Sequence, residues 1–453
     1  MCACQANRCE ARLGATLPRG GSVRWQSDAS WYANRLKADM RRAPGGVETA
    51  QGGKHIGVHR GCCPAAVAVY AQRPGYRCCA HKTDRLLPLR PVGGLSWEQF
   101  ADALPRGQLL LLDGDSMVTQ QFVGLLCLAW ATPGFTIASL TSVPSVKLGQ
   151  HQESWAWVAE VVRGCDAEPR VNTTGCWWVT LIHWHALEVG AQKISLPAVA
   201  NGTPMALGSS DAAATPSTLI QAKSVLRWLA NDQAAAMLAS VAVTIVGGWQ
   251  HQLPSYEALV GFMRRLSTDP VLGHQRTVFV EAIPPHFPGG HYIVMGYVKY
   301  PPAEPPEQAC NQWHRPQHDA GDASHLQKTL SRNATPPTFI RGISNDWIDR
   351  FNVWLEQAVE DGASALPSDQ RRKFHLQRVA ALYAGRGDAN VDSAGEANHY
   401  SQRDCLHLCV APGVLDALAM ETLWTLAQVI GPSERAPVAV QDDEESHACR
   451  KFT

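Results

Sequence analysis

The stretch LLLLDGDSMVTQQ, Leu109 to Gln121, decides how the chain folds. Four leucines in a row read as a strand buried on both faces. Asp113-Gly114-Asp115-Ser116 then breaks the apolar run, and Met117–Trp130 carries Phe122, Leu125, Leu126 and Ala129 at helical spacing. The order is therefore strand, sharp turn, helix. One reading of the turn is an ordinary polar connection with Ser116 as a cap. The other is a strand end that presents Ser116 as a nucleophile. Glycine permits the sharp turn, and a helix start offers free backbone N–H groups to an oxyanion.

Outward from this unit the same alternation continues. Ser96-Trp97-Glu98-Gln99-Phe100 opens a short helix before it. Phe135–Leu140, Trp177–Ile182, Val241–Val246, Thr277–Glu281 and Phe374–Tyr383 read as strands. Leu219–Leu238, Ser255–Leu266, the segment bearing Trp347, Phe351, Leu355 and Ala358, and Gly413–Ile430 read as helices. The pattern predicts an α/β fold, a mostly parallel sheet flanked by helices, over 96–430. Such sheets hold their sites beyond the carboxyl ends of the strands, where Ser116 stands. Residues 1–95, rich in Cys, Arg and Gly, read as an irregular region. The stretches 192–217 and 301–337 read as insertions, and 431–453 as a disordered tail.

The chain has 453 residues, with 40 basic and 40 acidic side chains. That balance gives no pull towards nucleic acid. No apolar run reaches the roughly 18–20 residues of a spanning helix, and the N-terminal stretch lacks the apolar core of a signal peptide. Three sequons, at Asn172, Asn201 and Asn333, and 14 cysteines tilt towards a disulfide-permissive compartment. No metal site is expected. His183 and His185 share one side of a strand, but two ligands rarely make a zinc site.

The second chemical motif lies near the C-terminus in RDCLHLCVAPGVLDAL, Arg403–Leu418. Asp404 and His407 are three apart, flanked by Cys405 and Cys409. One segment there supplies both a base and the carboxylate that fixes its tautomer. The alternative is a disulfide-pinned loop with an exposed histidine.

An early G-D-S and a late D-x-x-H together resemble the SGNH/GDSL hydrolase layout, and within it the trichome birefringence-like or PC-esterase family. Gln121 and Cys127 stand where that family has a glutamine and a cysteine after its serine. Asp404-Cys405-Leu406-His407-Leu408-Cys409 resembles its closing motif, with Leu408 in place of tryptophan and one extra residue before Pro412-Gly413. VFVEAIPPHFPGGHY, Val278–Tyr292, resembles its S-P-x-H-F block at His286-Phe287. VAVTIVGGWQHQLPSYEAL, Val241–Leu259, resembles a strand ending in Asn-x-Gly-x-Trp, with Gly247 and Trp249 in register.

The resemblance implies a polysaccharide O-acetyltransferase of the Golgi or secretory pathway. Ser116 is then the nucleophile, His407 the base and Asp404 its partner. Gly114, Asp115, Gly247, Gly248, Trp249 and His286 form the oxyanion and substrate region. Gln121, Cys127, Cys310, Cys405 and Cys409 serve structure. No bound cofactor is implied, only an acetyl donor as co-substrate, acetyl-CoA or an acetylated carrier. An acetylesterase with the same triad is the runner-up, and a non-catalytic glycan-binding or structural protein the rival. Where the resemblance implies an oxyanion asparagine this chain has Ile245, with Thr244 beside it. Asn172 is an imperfect alternative, so the third donor is unassigned.

Overall fold

The computed structural model describes residues 23–41, 63–70, 86–143, 145–146, 155–164, 176–185, 192–194, 219–220, 241–247, 263–264, 268, 276–284, 286, 291–292, 343–371, 373–390, 405–411 and 413–430. In chain order the strands are β1 (Arg24–Ser27), β2 (Leu89–Val92), β3 (Gln108–Gly114), β4 (Phe135–Val143), β5 (Ser145–Val146), β6 (Trp155–Arg163), β7 (Trp177–His185), β8 (Gln192–Ile194), β9 (Leu219–Ile220), β10 (Val243–Val246), β11 (Arg276–Val280), β12 (His291–Tyr292), β13 (Ile343–Ser344) and β14 (Phe374–Gln377). The helices are α1 (Ala29–Arg41), α2 (Pro64–Val69), α3 (Trp97–Ala103), α4 (Ser116–Ala131), α5 (Asn345–Ser364), α6 (Ser368–Arg371), α7 (Ala380–Tyr383) and α8 (Val414–Ile430).

Seven strands form the central sheet in the order β14-β11-β10-β3-β7-β6-β4. β14, β11, β10, β3 and β7 pair in parallel, and β6 pairs antiparallel with both β7 and β4. Only β6 therefore runs against the rest. The fold is α/β with a mostly parallel sheet, as the alternation of periods predicts. Leu109 to Leu112 of β3 and all of β10 are buried. Side chains alternate across a sheet, so both of its faces are covered at the centre. Helices α4 and α8 pack on one face, where His183 of β7 and Gln377 of β14 reach them. Helix α5 packs along β14.

The helix starts follow capping chemistry. Ser96 and Gln99 make a reciprocal capping box at α3. Asp115 caps α4 by accepting from the Met117 N–H. Asp416 Oδ2 accepts from the Gly413 N–H, fixing the entry to α8.

Several expectations are corrected. The described parts of 1–95 are regular and belong to the same core. β1 pairs antiparallel with β2, Val23 N–H donates to Glu421 of α8, and Arg35 pairs with Asp416 at 3.2 Å. Cys63, before α2, is disulfide-bonded to Cys127 of α4. These long-range ties order a segment whose local pattern is weak. The single late strand over Phe374–Tyr383 is two elements, β14 and α7. The carboxylate of Glu281 accepts the N–H groups of Val379 and Ala380, which ends strand geometry there. Leu219 and Ile220, read as a helix start, form β9 against β8. Strand β6 is an element that the sequence reading did not identify. Of the helix expected over Ser255–Leu266, Met263 and Arg264 are helical and the rest lies outside the described residues. So do 195–217, 301–337 and 431–453. Among the described residues no helix is long and apolar enough to cross a membrane.

Candidate active site

Strand β3 ends at Gly114, and α4 begins two residues later at Ser116. The turn is tight because the backbones of Gly114 and Gly247 meet under the Val118 side chain. An added Cβ on Gly114 would lie 2.4 Å from the Gly247 carbonyl oxygen and 2.4 Å from Val118 Cγ2. Only glycine fits such an approach. Gly247 is similarly enclosed by Val118 and Val280, each 3.1 Å from its own would-be Cβ. β3 and β10 thus close together beneath the first turn of α4 and set its position.

Ser116, half-buried at the carboxyl edge of the sheet, places its Oγ 2.6 Å from His407 Nε2. With the ring proton on Nδ1, the hydroxyl donates to Nε2, the geometry of a nucleophile and its base. His407 is buried, on a loop held from several sides. Gln120 of α4 accepts from the Leu408 N–H at 2.9 Å and donates to the Leu408 carbonyl at 2.5 Å. Asn390 forms an antiparallel bridge to Leu408, and its side chain donates to the His407 carbonyl. Cys409 N–H donates to the Ala389 carbonyl, and His286 N–H to that of Cys405. Cys405 and Cys409 are both disulfide-bonded.

The remaining expected residues sort as follows. Asp404, the intended carboxylate partner, lies outside the described residues, as do Gly248, Trp249, Cys310 and Asn172. Asp115 shapes the turn as the helix cap. Gly247 is corrected as an oxyanion donor: its N–H donates to the Asp113 carbonyl at 3.1 Å and is used by the sheet. The Asp115 cap takes the Met117 N–H, which leaves Ser116 and Val118 as the first-turn N–H groups that no intrahelical or cap bond uses. Ile245 is fully buried between Leu112 and Val278, so it packs the sheet and offers no donor. His286 is corrected from the substrate region to the scaffold. It is fully buried, with Nε2 3.3 Å from the Ala384 carbonyl. Gln121 donates to Gln377 Oε1 and Thr422 Oγ1, and Gln377 donates to the same hydroxyl. Cys127 is structural through its disulfide.

His183 is a core residue. Its Nδ1 lies 3.2 Å from the Leu112 carbonyl, its Nε2 2.8 Å from Thr119 Oγ1, and its ring lies against Phe122. Burial pushes its pKa down to about 3, so the ring is neutral. Both nitrogens being occupied, it is no ligand for a metal.

The residues the motifs did not single out are Gln120 and Asn390. Gln120 had a usable signal. It stands four residues after Ser116, on the same face of the helix one turn on. Asn390 had none, because its role depends on a loop from elsewhere in the chain.

No model of a known protein family, no curated protein and no solved structure matches this chain.

Proposed function

We propose that this chain is a serine-dependent acyltransferase of SGNH-hydrolase type, an O-acetyltransferase acting on a polysaccharide. The observation that carries the reading is the 2.6 Å contact of Ser116 Oγ with His407 Nε2 at the carboxyl edge of the sheet. That separation supports the enzyme over a non-catalytic glycan-binding protein, which has no need of a nucleophile paired with a base.

In the proposed reaction Ser116 Oγ attacks the carbonyl carbon of an acetyl donor, and its proton passes to His407 Nε2. The oxyanion faces the Ser116 and Val118 N–H groups at the start of α4. Collapse of the tetrahedral intermediate expels the donor's leaving group, which takes the proton from His407, and acetyl-serine remains. A sugar hydroxyl then gives its proton to His407 and attacks the acetyl carbon. Ser116 leaves and recovers that proton. Asp404, by its place in the motif, orients the imidazole through Nδ1. With water in place of the sugar, the same steps release acetate.

The test incubates purified protein with an acetyl donor and wall-polysaccharide oligomers, and measures both acetylated glycan and free acetate. Ser116→Ala is expected to lower both by orders of magnitude, up to about 10⁶-fold. Undiminished transfer and release in that variant would sink the assignment.

A further inference from the structure

We infer that Gln120 is a positioning residue that fixes the base relative to the nucleophile. The inference rests on the acyl-transfer reading. Gln120 is fully buried, and its amide pairs with both backbone hydrogen-bonding groups of one residue, Leu408. Oε1 accepts from the Leu408 N–H, and Nε2 donates to the Leu408 carbonyl. It thereby lies against Leu408 as a neighbouring strand would, on a segment that Asn390 already bridges. Leu408 is bonded to His407 in sequence, and Gln120 is one helical turn from Ser116. The reactive atoms are thus joined by a short path of stiff links: one turn of α4, one side-chain amide and one peptide bond. A helix turn cannot stretch, and an amide paired at both ends cannot swing. This path, independent of the pairing between Ser116 and His407 itself, holds Oγ and Nε2 together.

The chemistry asks for glutamine in particular. Asparagine is one methylene shorter. Glutamate matches the length but has no proton to give when ionised, so it sets an anionic oxygen against the Leu408 carbonyl.

The experiment follows covalent labelling of Ser116 by a fluorophosphonate probe, and hydrolysis of p-nitrophenyl acetate, in wild type, Gln120→Ala, Gln120→Glu and Gln121→Leu. Displacing a base by about 1 Å costs on the order of 10²-fold. Both Gln120 variants should therefore label and turn over about that much more slowly, with KM within about threefold of wild type. Gln121→Leu controls for lost stability and should label like wild type. If folded Gln120 variants label at the wild-type rate, the inference fails while the proposed function stands. If neither Gln120 variant folds, Gln120 holds the fold as a whole and the positioning role is overturned. Wild-type protein unlabelled at Ser116 would overturn the proposed function and this inference with it.

Discussion

Gly114 and Gly247 meet backbone to backbone, so closely that a methyl group on Gly114 would sit 2.4 Å from the Gly247 carbonyl oxygen. The contact joins the ends of β3 and β10 directly under the turn that presents Ser116. Gly114→Ala must push either strand end or Val118 aside. Such overpacking costs about 1–3 kcal/mol. The shift moves Ser116, so labelling should fall by about 10²-fold. Gly134→Ala is the comparison. It has a positive φ of 78°, and among the described residues other than its chain neighbours no atom lies within 4 Å of the added carbon. It should cost about 1–2 kcal/mol and leave labelling unchanged. Melting curves and labelling rates on both variants check the pair.

Gln121 and Gln120 are neighbours with separate tasks. Gln121 ties α4 to β14 and α8 through Gln377 and Thr422, all buried. Gln121→Leu leaves the Gln377 carbonyl oxygen without its donor, which costs about 1–3 kcal/mol. Urea unfolding should show that loss, and the activity of the folded protein should persist.

His183 makes stability depend on pH. Its pKa falls from an ordinary 6.5 to about 3 on folding. Between those values the unfolded chain holds a proton that the folded chain rejects, so stability drops as pH falls from about 6.5 towards 3. The slope is about 1.4 kcal/mol per pH unit from this one group. Above pH 6.5 its contribution is level. Urea unfolding of wild type and His183→Gln from about pH 7.5 to 4.5 should give a steeper fall for wild type by that amount. Parallel curves would refute it.

The Cys63–Cys127 disulfide closes a 64-residue separation between α2 and α4. Closing a loop of that size in the unfolded chain is worth about 4 kcal/mol by loop entropy. The double variant Cys63→Ser with Cys127→Ser should lose stability of that order. Unfolding under non-reducing conditions measures it, and a loss below about 1 kcal/mol would contradict the loop-entropy account.

What could be read from the sequence was local. The run Leu109–Leu112, short and bounded by Gly107 and Asp113-Gly114, reads as β3, a strand with both faces covered. The helix starts at Ser96 and after Gly114 were legible, but the cap of α4 is Asp115 where the sequence offered Ser116. Ser116 and His407 stood out because each sits in a compact motif. What escaped was long-range. Strand β6 hides because Val158-Ala159 and Val161-Val162 bury both faces, so it shows neither clean alternation nor a helical stripe. The break at Arg378 depends on Glu281, 98 residues away from Val379. The order around β1 and α1 depends on Glu421 and Asp416 in the last helix. Gln120 had a local hint in its place one turn after Ser116, but its pairing with Leu408 is long-range. Ile245 was visible as a departure from the asparagine that the family resemblance implied, and the structure adds that the nearby Gly247 N–H donates to the Asp113 carbonyl.

Ser116 and His407 are 291 positions apart in the chain. During synthesis the serine leaves the ribosome long before the histidine exists. A hydroxyl without a base is a weak nucleophile. Until the histidine is made, the contact between Oγ and Nε2 cannot form. Under the proposed function, labelling at Ser116 can begin only once the closing segment has docked on α4, so its onset reports that docking.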